Sequence, residues 1–241
     1  MSIFTSRNLN YILAASVGAC SFWMTFASFN QPLRPGLPHP GLKDGALKQA
    51  LQKDFTKSHD ALPYIQSRKL LFTSIDGNGR QANCRYTGEE IKYMLQPLPN
   101  KAAVEHAMPL TRLPAEARSD LHHMFVVTPE ARVARLNLHY GAVLYPVWSE
   151  GGSKAGPTRR VVPAFEVRKD ARGDIARAMF HISTMYQIPI PEQEEKTLRA
   201  WHKQDPVSKE EQARNNKIAA QQNSRNPYID YPDLTQRISD F

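Results

Sequence analysis

The order of apolar and polar positions divides the chain into a helical start, a middle of short strands and a helical end. Leu47, Leu51 and Phe55 recur at i, i+4 and i+8, the spacing of one face of an amphipathic helix. A second helix is expected over residues 60–72, a glycine turn at Ile75-Asp76-Gly77-Asn78-Gly79, and a strand over residues 81–86. Thr128 is a good N-cap and Pro129 suits the first helical position, so a helix opens there. Val133 and Leu136 give it an apolar edge, and Gly141 sits where the chain should leave it. Residues 141–163 alternate strand-like pieces with a loop at 150–156 that reads as flexible and ends in Arg159-Arg160. Ile175, Met179, Ile182 and Tyr186 then form one apolar stripe, which marks a core helix. Another helix is expected over 192–201. Asp205-Pro206 reads as the start of a third, and Asn226-Pro227-Tyr228 as the close of the ordered part.

Composition adds a class and a partner. The chain has 241 residues, 41% hydrophobic and 22% charged, as expected of a globular protein with one good core. Its net charge of +8 suits a polyanionic partner, either nucleic acid or an anionic membrane face; a basic protein with no such partner is the alternative. Arg7 is the only charge ahead of the uncharged run 11–29. That run fits a signal peptide cut near Ala27, and it is also long enough to stay as a membrane anchor. Val17-Gly18-Ala19-Cys20 has the form of a lipoprotein cleavage site, a third way to leave the cytoplasm. Export is common to all three, and membrane contact is expected only through this segment. The expected organisation is therefore a leader or anchor over 1–29, a linker and first helix over 30–58, and the main domain over 59–241. Of the two cysteines Cys20 lies in the leader, which leaves Cys84 alone. An internal disulfide and a thiolate metal site are both excluded.

The chemistry gathers between residues 104 and 137. Glu105 beside His106 offers an oxygen ligand and a base from adjacent positions. Adjacent strand residues face opposite ways, so the two can share a site only at a strand end or bend, and Pro109 follows closely. Phosphodiester hydrolysis needs such a pair: a base to deprotonate water, and a cation to neutralise charge on the phosphate. Asp120-Leu121-His122-His123 is a second cluster, read as structural or supporting the site from behind. Arg132, Arg135, Arg159, Arg160 and Arg177 are candidate phosphate contacts, with structural ion pairing the alternative for each and favoured for Arg177.

Seven blocks, in order, resemble the bacterial endonuclease I family, exported nucleases with a ββα-metal (His-Me finger) core. They are Arg68-Lys69-Leu70-Leu71-Phe72, Cys84-Arg85-Tyr86-Thr87-Gly88, Val104-Glu105-His106 and Asp120-Leu121-His122-His123-Met124-Phe125. Gly173-Asp174-Ile175-Ala176-Arg177-Ala178-Met179-Phe180, Trp201-His202-Lys203-Gln204-Asp205-Pro206 and Asn223-Ser224-Arg225-Asn226-Pro227-Tyr228-Ile229-Asp230 complete the set. The resemblance implies an α+β fold in which a small ββα core sits inside a mainly helical single domain. It implies a monomeric, exported, sequence-tolerant endonuclease acting on DNA and possibly RNA, dependent on one Mg²⁺, with His106 as general base and Glu105 as metal ligand. The family completes its site with an asparagine on the following helix, and a gap-free count places Arg132 there. A guanidinium cannot ligate a cation. Asn137 lies five residues later, about 140° around an ideal helix. It becomes the alternative ligand if the helix is shifted or shortened. Arg132 therefore also supports a second reading, a catalytically weak or inactive relative that binds nucleic acid or another envelope component. A lipid-anchored structural protein is the third.

Overall fold

The computed structural model describes residues 36–94 and 101–241, which belong to one compact unit. The expected leader and the first part of the linker lie outside the described residues. Helix α1 (Asp44–Ser58) buries Leu47, Leu51 and Phe55, the face its spacing marks out. It packs on α4 (Arg172–Tyr186), the helix around which the others collect. The apolar stripe of α4 is wider than expected, because Ala176, Ala178 and Phe180 are buried along with Ile175, Met179 and Ile182. A helix covered on all sides loses its polar face. Here α1, α5 (Glu192–Gln204) and α7 (Pro227–Asp230) supply the cover.

Among the described residues, three small sheets complete the α+β architecture. β1 (Gln81–Asn83) pairs antiparallel with β2 (Glu90–Lys92). β3 (Ala103–His106) pairs antiparallel with β4 (Met124–Val127), setting Glu105 opposite Phe125 and His106 opposite Met124. Thr128 then caps α3 (Pro129–Arg135) by accepting the Ala131 amide at 3.2 Å, so strand, strand and helix follow in the ββα order. The third sheet runs β5 (His139–Tyr140), β8 (Pro163–Glu166), β7 (Ser153–Pro157), β6 (Trp148–Glu150); only β5 and β8 are parallel. One clamp ties these parts together. Arg214, on α6 (Lys209–Gln222), bonds the Asp76 carboxylate at 2.7 Å and the Met124 carbonyl at 2.6 Å, while Asp76 accepts the Val126 amide at 3.1 Å.

Several local expectations are corrected. The segment 150–156 is not a flexible loop but a tight hairpin, with Glu150 paired to Ser153 across Gly151-Gly152. Both glycines have positive φ, as a two-residue hairpin turn requires, and a Cβ on Gly151 would stand 1.9 Å from the Thr87 carbonyl. Asp205-Pro206 does not open α6. The Asp205 carboxylate is taken by the Gly173 amide at 2.8 Å, and Ser208 caps α6 instead by accepting from Glu211. The second helix is shorter than expected, α2 (Tyr64–Leu70), and passes into a wider π turn over Leu71–Ile75. Val133 and Leu136 are exposed rather than a packed edge. The ordered part runs past Tyr228, since Phe241 is buried against Phe180 with ring centroids 4.3 Å apart.

Candidate active site

His106 is the last residue of β3, and this placement lets it share a cavity with its neighbour. Glu105, His106, Arg132 and Asn137 all line one cavity of about 320 Å³, walled by Pro109, Leu110, Val133 and Leu136. The short α3 brings Asn137 in. The helix ends at Arg135, Leu136 turns the chain at φ 43°, and Asn137 follows beyond the helix.

Nε2 of His106 lies 3.0 Å from the Arg118 carbonyl oxygen. A carbonyl can only accept, so Nε2 carries the proton and Nδ1 keeps its lone pair. Burial pushes the His106 pKa down to about 4, against the pull of that hydrogen bond. At neutral pH the ring is therefore an uncharged base. Tyr64 stacks over it at 6.1 Å and His123 packs at 5.0 Å, which fixes the plane of the ring. Tyr64 and the Arg118 carbonyl were not found from the sequence. A backbone carbonyl in an irregular segment has no sequence signature, and an exposed tyrosine on a remote helix looks like any other.

Burial pushes Glu105 up to about 7, while Arg135 and Arg132 pull it down. The two arginines differ in kind. Arg135 is fully buried, donates to the Ala107 and Leu136 carbonyls at 3.1 Å each, and lies over the Tyr140 ring at 4.2 Å. Arg132 is exposed, its Nε 3.6 Å from Glu105 Oε2, too far for a good hydrogen bond. As donors, one carboxylate and one side-chain amide are the hard oxygens that a divalent cation such as Mg²⁺ accepts, with water and phosphate filling the remaining positions. Glu105 and Asn137 fit such an ion, and Arg132 is the local charge that opposes it.

The remaining candidates lie elsewhere. Arg177 is buried and bidentate to Glu211 at 2.7 and 2.6 Å, with its other nitrogen on the Asp205 carbonyl at 2.9 Å. Arg135 and Arg177 are thus out of reach of a phosphate. Arg159 and Arg160 are exposed on the turn between β7 and β8 and line a separate groove of about 540 Å³ with His139. His122 and His123 are buried, donating to the Ser224 carbonyl at 3.0 Å and the Ala117 carbonyl at 2.8 Å. Asp120, His122 and His181 offer ligand atoms within 4.8 Å of one another. However, the Asp120 carboxylate already accepts from the His122 amide, Gln222, His181 and Tyr186 at 2.9 to 3.2 Å. That saturated knot anchors the entry to β4.

Burial pushes His122 down to about 3 from its ordinary 6.5. Between those values the unfolded chain binds this proton and the folded chain does not. The histidine's contribution is therefore complete above about pH 6.5 and is lost as pH falls toward 3. Replacing it with glutamine removes this titration. The stability gap between wild type and His122→Gln should then narrow by about 2–3 kcal/mol from pH 6.5 to 4.5, at about 1.4 kcal/mol per pH unit. Urea denaturation of both proteins at several pH values measures it, and a gap independent of pH would contradict the buried neutral ring.

Residues 80–233 match the family model described as Endonuclease I. The chain is 30% identical over 140 residues to an extracellular ribonuclease of Bacillus amyloliquefaciens, covering 50% of this chain and 46% of that protein. It is 28% identical over 117 residues to an extracellular deoxyribonuclease of Aeromonas hydrophila, covering 46% and 48% respectively. A periplasmic deoxyribonuclease of the same organism is 28% identical over 116 residues, covering 46% and 47%. The chain spans about half the length of the curated relatives it matches.

Proposed function

The chain belongs to the endonuclease I family, and on that premise we propose that it is an exported nuclease hydrolysing phosphodiester bonds of DNA or RNA at the Glu105–His106 cavity. The observation that carries this reading is the tautomer of His106, a neutral ring with Nε2–H held by the Arg118 carbonyl beside a carboxylate in an open cavity. His106 takes a proton from water on Nδ1 as the water oxygen attacks phosphorus, and the bond from phosphorus to the leaving sugar oxygen breaks. That oxygen collects its proton from solvent. Glu105 and Asn137 would hold a divalent cation, whose chemistry when bound is to neutralise charge developing on the phosphate oxygens. Export is supported by the relatives, which are named extracellular and periplasmic. Incubating plasmid and RNA with purified protein, with Mg²⁺ or with EDTA, tests the proposal. No cleavage of either substrate would defeat it.

The Arg132–Glu105 contact favours a second reading, in which the site binds nucleic acid and turns over weakly. A unit positive charge about 4 Å from a bound divalent cation costs from about 2 kcal/mol in water to about 8 kcal/mol near a protein surface. Arg132→Asn should therefore tighten Mg²⁺ binding roughly tenfold or more and raise the cleavage rate with it. Calorimetric Mg²⁺ titrations of wild type, Arg132→Asn and Asn137→Ala provide the check. If wild type cleaves well and Arg132→Asn abolishes cleavage, Arg132 belongs to the phosphate instead.

A further inference from the structure

Beside the cavity, two turns share an unusual backbone. β5 and β8 run parallel with His139 paired to Ala164, so the segments entering both strands emerge at the same end of the sheet. Leu136 and Val161 stand three positions ahead of those paired residues, with φ of 43° and 60°. Glycine adopts such angles freely, whereas a side chain there costs about 1–2 kcal/mol, and a β-branched one is the least suited. Burial compensates neither, since Leu136 is 63% and Val161 73% exposed. Two strained apolar side chains held toward solvent add nothing to folding, and strain of this kind collects at functional sites. Leu136 lines the cavity of Glu105 and His106, and Val162, next to Val161, lines the neighbouring groove with His139. Arg159 and Arg160 complete that turn, and neither guanidinium has an ion-pair partner among the described residues.

We propose that these two turns form one grip on nucleic acid, in which Leu136 and Val161 press apolar side chains against the bases flanking the cleaved bond while Arg159 and Arg160 hold the phosphates. The proposal rests on the nuclease reading and adds to it a deformed substrate, with base steps next to the cut partly unstacked. Apolar wedges flanked by arginine are a general means of opening a duplex from its minor groove. A lipid surface would also accept aliphatic and arginine side chains. The place of Leu136 on the wall of the Glu105–His106 cavity and the two unpaired cations favour a polyanion.

The test uses the full chain in a His106→Ala background, so that substrate stays intact. A duplex carrying 2-aminopurine beside a central step reports unstacking, anisotropy reports binding, and anionic vesicles serve as the competing surface. Wild-type turns should raise 2-aminopurine emission. Leu136→Gly and Val161→Gly, which suit the backbone and should melt no lower than the parent, should lose most of that rise while keeping the salt dependence of binding. Arg159→Ala and Arg160→Ala should each lower the slope of log affinity against log salt by about 1. Unchanged emission in both glycine variants overturns the grip, as does binding of vesicles in place of DNA. Failure of the parent to bind nucleic acid at all defeats the nuclease reading as well. Intact binding by the parent with inert glycine variants, alongside cleavage by the chain that keeps His106, defeats only the grip.

Discussion

His106→Ala should lower nucleic-acid cleavage by about two to four orders of magnitude, the usual worth of a positioned general base. The expectation follows from geometry. The Arg118 carbonyl fixes the proton on Nε2, burial keeps the ring neutral down to about pH 4, and Tyr64 with His123 holds its plane. Alanine removes the acceptor without stranding a charge, so melting temperature and DNA affinity should change little. The Arg118 carbonyl loses a partner but lies where water can replace it. Wild-type rates in this variant would remove His106 from the reaction. A rate loss matched by an equal loss of binding would make its role one of shape.

Arg177→Met should destabilise the fold by about 3–5 kcal/mol, because it leaves Glu211 buried beside Asp174 with its bidentate partner gone. For a chain of this size that is a fall in melting temperature of roughly 10 °C or more. Burial and Asp174 already push Glu211 up to about 7, so the stranded carboxyl will take a proton, which softens the loss. Arg177→Met with Glu211→Leu should recover much of the difference, since a paired charge and a packed apolar pair are closer in energy than a broken pair. Thermal and urea denaturation measure this. The nuclease rate per folded molecule separates the two roles considered for Arg177. A normal rate in the destabilised variant leaves it in the scaffold, and a collapsed rate at unchanged stability returns it to the phosphate.

What could be read in advance follows from which forces are local. The face of α1 and the Thr128-Pro129 start of α3 depend on spacing and capping within a few residues, and the structure has both. The resemblance carried the ββα order. Glu105 and His106 share one cavity because the strand ends there. Arg132, Arg135 and Arg177 all read as candidate phosphate contacts in the sequence, with ion pairing favoured for Arg177. They differ because α3 turns Arg135 into the core and leaves Arg132 exposed on the wall of the cavity, while Arg177 faces a carboxylate 34 positions away. Asp205 was misread for the same reason, since its partner Gly173 lies 32 positions back. A proline after an aspartate looks like a helix start until the carboxylate is found occupied. The glycine pair at 151–152 carries the information for its hairpin, because both positions take the positive φ of a two-residue turn.

The Asp76–Arg214 clamp bears on when the cavity can be completed. A ribosome that has delivered residue 141 has released the whole segment from β3 to Asn137. The arginine that grips the Met124 carbonyl and, through Asp76, the Val126 amide is still more than seventy codons away. Until it emerges, β4 lacks this fastening and is held by its pairing with β3 and by the Asp76 bond to the Val126 amide. For the exported nuclease proposed above, this wiring would keep the cavity unassembled until α6 has been made.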